Sequence, residues 1–119
     1  MKYTESMRES EKLTPKELKI INRQKVYTYL YQVKKSSKQE IAQALGLSIP
    51  TVAQSLNIFM EQDFARVLGE YESTGGRKAQ IFGFNHLARI AIGVEVLKEG
   101  VQIVAVDLYG TILKEAFWQ

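Results

Sequence analysis

Ser37-Lys38-Gln39-Glu40-Ile41-Ala42-Gln43-Ala44-Leu45-Gly46-Leu47-Ser48-Ile49-Pro50-Thr51-Val52 reads as two short helices joined by a tight turn. Ser37 and Glu40 have the spacing of a capping box, in which the serine oxygen accepts the N3 amide and the glutamate reaches back to the cap amide. Ile41, Ala42 and Leu45 keep one face of the first helix apolar. Gly46 falls where the chain leaves that helix through a left-handed conformation that a Cβ disfavours. Ser48 then caps a second helix, and Pro50 is tolerated in its first turn because those amides have no intrahelical partner. The pattern is that of a helix-turn-helix, which makes gene regulation the leading expectation.

Upstream, Thr14-Pro15 is a helix start, a cap followed by proline at the first position. Leu18, Ile20 or Ile21, Val26, Leu30 and Val33 keep one face apolar as far as Lys34-Lys35, whose charges suit a helix C-terminus. Residues 1–13 are polar and charged, and are expected to form a mobile arm. Downstream, a helix from Ile49 to about Gln62 buries Val52, Ser55, Leu56 and Phe59. Ala65–Gly69 and Ala79–Phe84 read as antiparallel strands around a polar loop that contains Thr74-Gly75-Gly76-Arg77-Lys78. Three helices and a hairpin give an α+β winged helix-turn-helix, expected over residues 14–85.

After Asn85 the character changes. Arg89–Val96, Gly100–Asp107 and Thr111–Phe117 are short apolar, β-branched runs separated by Glu99-Gly100 and Tyr109-Gly110 as turns. Their imperfect alternation predicts a strand ladder covered on both faces. Residues 86–119 are therefore expected to be a short antiparallel β-ribbon that begins a second, truncated domain.

The 119 residues contain no cysteine, which excludes disulfides and thiolate metal sites within the chain. No apolar run reaches the roughly 20 residues that span a bilayer, and no export signal is evident, so the expectation is a cytoplasmic protein without membrane contact. Residues 1–85 hold 13 Lys+Arg against 9 Asp+Glu, a net of +4, whereas residues 86–119 carry a net of −1. A modest positive excess on the front part suits a polyanion. His86, the single histidine, has no cluster of ligand types around it and reads as a linker residue. Nothing pairs a general acid with a base, so neither catalysis, metal nor cofactor is expected.

The order and spacing resemble the repressors of the ROK family (repressor, open reading frame, kinase). The likeness is carried by Asn22, Val26 and Leu30, by Glu40-Ile41-Ala42, by Gly46 to Val52, and by Gly75-Gly76-Arg77-Lys78. Ile92-Gly93-Val94 and Val106-Asp107-Leu108-Tyr109-Gly110 look like the first strands of the family's actin-like, sugar-kinase-like domain. The resemblance implies a repressor of sugar-metabolism genes, working as a homodimer or higher oligomer, with a sugar or protein effector acting through the remainder of that domain. Two departures stand out. Ala79 follows Lys78 where family wings place proline. Glu95-Val96-Leu97-Lys98-Glu99 stands where kinase relatives carry an Asp-x-Gly-x-Thr phosphate loop, with Leu97 in the glycine position. A sugar kinase with an N-terminal extension is disfavoured on that ground; a protein-docking winged helix is the other rival.

Recognition helices present their N-terminal residues to base edges in the major groove. Ser48 and Thr51 offer hydroxyls there, Gln54 an amide able to pair with adenine, and Ile49, Pro50 and Ala53 apolar contact to thymine methyls. This helix has no arginine, so double-stranded DNA with A·T-rich inverted half-sites is the expected partner. Ser37 and Lys38 are candidates for phosphate contact. Gly76, Arg77 and Lys78 are candidates for the minor groove, where a narrow A·T tract attracts arginine. The plainer alternatives are capping for Ser37, a solvated surface for Gln54 and Asn57, and a flexible loop for the glycine-rich tip.

Overall fold

The computed structural model describes residues 13–72 and 78–119. All but Leu13 of the expected arm lies outside these residues, as does the hairpin tip from 73 to 77. The described residues are α+β: three helices with one small antiparallel sheet, then a second antiparallel sheet.

Helix α1 (Pro15–Val33) starts as its sequence dictates, with the Thr14 hydroxyl accepting the Glu17 amide at 3.2 Å and proline in the first turn. Its end differs from expectation. Lys34 turns the chain with φ 74°, donates its amide to Leu30 O at 2.8 Å, and accepts the Phe84 amide on its own carbonyl at 2.8 Å. No lysine belongs to the last turn. Lys35–Ser36 instead form a two-residue strand, β1, drawn off the helix by pairing with the strand that contains Phe84.

Helices α2 (Lys38–Leu45) and α3 (Ile49–Glu61) follow, joined through Gly46 at φ 65°, ψ 34°. An added Cβ on Gly46 would meet nothing within 4 Å, so its dihedral angles alone call for glycine. Strands β2 (Ala65–Glu70) and β3 (Gln80–Phe84) form the hairpin, and the sheet order is β1-β3-β2. The register slips between Val67 and Gly69, leaving Leu68 unpaired. The Leu68 side chain lies where a Cβ on Gly83 would clash, so the bulge and the glycine belong together.

The core gathers Val26 and Leu30 of α1, Ile41 and Ala42 of α2, Val52, Leu56 and Phe59 of α3, Ala65 of β2, and Phe82 and Phe84 of β3. Each fully buried Val, Leu, Ile or Phe contributes roughly 1.5–3 kcal/mol relative to exposure. The expected face of α3 is buried at all four positions. That of α1 is only half right: Val26 and Leu30 are buried and, of the Ile20–Ile21 pair, Ile21 is half-buried, but Leu18 and Val33 are exposed because the helix is longer than the body it packs on. Tyr27 sets its ring edge-on to Phe59, Phe64 and Phe84 at centroid distances of 5.4–5.6 Å.

Strands β4 (Ala91–Val96), β5 (Val101–Val106) and β6 (Ile112–Trp118) make the second sheet, in that order. Its turns fall where expected, but its burial does not. Every residue of β4 is exposed and β5 is half-buried throughout, so neither face is fully covered among the described residues. Apolar composition prepares a strand for two covering layers but does not itself supply them.

Candidate nucleic-acid interface

The first turn of α3 is built by its cap. Ser48 Oγ accepts the Thr51 amide at 3.2 Å and lies 2.8 Å from Thr51 Oγ1, so the two hydroxyls hydrogen-bond to each other. Ser48 Oγ keeps capacity for one further partner and Thr51 Oγ1 for two. Ile49, Pro50 and Gln54 are exposed beside them, while Thr51 and Ala53 are half-buried. Opposite, Val52, Ser55, Leu56 and Phe59 hold the helix on the core. The outward face therefore offers hydroxyl, aliphatic and carboxamide groups on a rigidly seated helix whose N-terminal dipole end is positive.

At the start of α2 both arms of the capping box are present: Ser37 Oγ accepts from the Glu40 amide at 3.2 Å and Glu40 Oε1 from the Ser37 amide at 3.4 Å. Ser37 is buried, with its side chain committed to the cap, while Lys38 beside it is half-buried. The Lys38 ammonium lies 5.5 Å from the centroid of the Phe82 ring. Lys38 and Lys78, with Gln39, Glu70, Ala79, Gln80 and Phe82, line a groove of about 540 Å³ between α2 and the hairpin. The Tyr71 phenol is pushed up, chiefly by burial and then by the nearby Glu40 carboxylate. Gly76 and Arg77 lie outside the described residues.

The structure also brings forward α1 residues that the sequence reading did not place at the interface, Lys19 and Arg23 not having been singled out at all. Lys19, Asn22 and Arg23 of α1 line a narrow crevice with Thr51, Gln54, Ser55 and Ile58 of α3. The signal was present, since α1 carries Lys16, Lys19, Arg23 and Lys25 against Glu17 alone. Which of these lysines and arginines face α3 depends on how the two helices pack.

His86 is more than a linker. Its Nδ1 donates to Asp107 Oδ2 at 2.7 Å. Burial alone would raise the Asp107 carboxyl, but bonds from the Thr111 amide, His86 and the Tyr109 amide, together with the imidazole charge, hold it below the usual carboxylate range. Among the described residues no cluster of three His, Cys, Asp or Glu side chains could hold a metal, and no helix is long and apolar enough to cross a membrane.

No family model matches the chain. It is 30% identical over 77 residues to the xylose repressor of Bacillus spizizenii, covering 65% of this chain and 20% of that protein. To the xylose repressor of Bacillus subtilis it is 27% identical over 81 residues, covering 68% and 21%. The chain thus spans about a fifth of the length of the curated relatives it matches. Among solved structures it resembles a ROK family transcriptional regulator described as a homologue of the Escherichia coli MLC protein. The TM-score is 0.60 at 17% identity, with 84% of this chain and 26% of the other covered. That likeness shows a shared fold, and the relatives are named as repressors rather than enzymes.

Proposed function

We infer that this chain belongs to the ROK family of regulators and is the DNA-reading part of a transcriptional repressor of sugar-metabolism genes. On this reading residues 14–85 are a winged helix-turn-helix with the β2–β3 hairpin as its wing. Residues 86–119 are the first strands of an effector domain through which a sugar or protein signal acts. Two copies of the cytoplasmic regulator would occupy an A·T-rich inverted repeat.

The observation that carries the reading is the division of α3. Four residues lock it to the core while Ser48, Ile49, Pro50 and Gln54 stand free at its N-terminal end. Base edges are read from that end, and phosphate contacts from Lys38 and Lys78 would fix the register. The repressor names of the relatives support it. The kinase alternative gains nothing from the β4–β5 turn: Leu97 and Gly100 exchange amide-to-carbonyl bonds of 2.7 and 3.3 Å, closing a tight hairpin in place of a phosphate loop.

The test is selection of duplexes from a random pool, followed by titration of the winner and its scramble at several salt concentrations. Gln54→Ala should cost roughly 1–3 kcal/mol of discrimination at one base position and leave the scramble unaffected. Lys78→Gln should weaken both duplexes alike and reduce the slope of log affinity against log salt by about 1. Absence of binding even at low salt would sink the DNA reading in favour of protein docking.

A further inference from the structure

The junction between the two sheets is a built joint. The β5–β6 turn, Asp107 to Thr111, reaches back onto the helices. Tyr109 Oη donates to the carbonyl of Tyr31 in the last turn of α1 at 2.9 Å. Its ring lies against Tyr31 at 4.6 Å, Phe84 at 5.4 Å and His86 at 6.0 Å between centroids. Burial pushes the Tyr109 phenol up, with further contributions from Tyr31, Asp107 and Tyr27, so it stays a donor at neutral pH.

The turn is itself held in shape. Asp107, buried, accepts the Tyr109 amide at 2.9 Å and the Thr111 amide at 2.8 Å on Oδ1, and His86 on Oδ2. The Leu108 amide donates to the His86 carbonyl at 3.0 Å. A second tie crosses from the other side, where the Arg89 guanidinium donates to the Gln62 carbonyl at 3.3 Å and stacks 4.6 Å from the Phe64 centroid. Polar connectors between domains ordinarily leave relative motion free. Here a tyrosine, an arginine and a buried carboxylate close the connection.

We propose that the β5–β6 turn, through Tyr109, is a positioning element that holds the helical unit and the β4–β6 sheet as one body. A shift of that sheet would then reach α1 directly rather than being lost in the linker. Its bearing on DNA rests on the functional reading above; the joint itself does not. The geometry of Tyr31, Phe84 and Tyr109 makes the docking specific to an aromatic side chain with a hydroxyl at its tip.

Because the chain has no native cysteine, labels at Gln43→Cys on α2 and Lys114→Cys on β6, both exposed, report one distance by pulsed electron resonance without any DNA. A single narrow distance is expected in the parent. Tyr109→Ala and Asp107→Ala should each replace it with a broad distribution while helical ellipticity is kept. An unchanged narrow distance in either variant overturns the proposal. Loss of helical signal in Tyr109→Ala also overturns it, because Tyr109 would then belong to the helical core rather than to a joint. Duplex binding by the parent is measured separately, so failure of the DNA reading leaves this result standing.

Discussion

Gly46 and Lys34 both hold the left-handed half of backbone space, at φ 65° and 74°. Only one was legible. Glycine between two helical patterns announces its own conformation, whereas a lysine says nothing of the kind and is turned by what its carbonyl meets, the Phe84 amide fifty residues on. Since no neighbour crowds Gly46, Gly46→Ala should cost about 1–2 kcal/mol through its dihedral angles alone. Urea unfolding would check this, and a neutral result would mean the turn relaxes freely. The same contrast runs through the site. The exposure of Ser48 and Gln54 could be read from periodicity, because it depends on one helix. The commitment of Ser37 to its cap was equally visible. The approach of Lys19 and Arg23 to Gln54 was not, because it depends on how two helices pack.

At the scale of elements, a strong period needs little context and a weak one needs a great deal. Helix α3 buries every residue its pattern assigned, and its 13 residues fit the body they rest on. Helix α1 runs to 19 residues, so a stripe continued along its whole length overshoots the core at Leu18 and Val33. The two-residue β1 has no period at all and exists only through β3. The second sheet shows the remaining limit: its strands and turns were legible from β-branched runs, but its exposure was not, since burial belongs to a pair of surfaces. These differences fix an expected contrast in stability. Leu56→Ala in α3, fully buried, should cost about 2–5 kcal/mol. Ile92→Ala in β4, 62% exposed, should stay within about 0.5 kcal/mol. Paired denaturant titrations would test it, and equal losses would show that β4 is covered in solution.

Across the whole molecule, Asp107 couples acidity to the joint. The groups around its turn are His86, Lys34 beside the Tyr109 ring, and the phenols of Tyr31 and Tyr109. Its folded-state value is depressed, so the stabilisation is fully present above the ordinary carboxylate value and is lost as pH falls through the depressed one. The amide proton shifts of Tyr109 and Thr111 should follow that titration, with a midpoint below the ordinary value of 3.8. A midpoint at or above it would place the carboxylate outside this network, and Asp107→Asn should abolish the transition.

Trp118, the sole tryptophan, ends β6 opposite Val101, and the three helices among the described residues lie on the other side of Tyr109. The chain therefore carries two optical reporters that do not overlap: indole emission follows the sheet and ellipticity follows the helices. With the β5–β6 turn seated, one melting curve serves for both colours; with Tyr109 removed, the protein would melt twice.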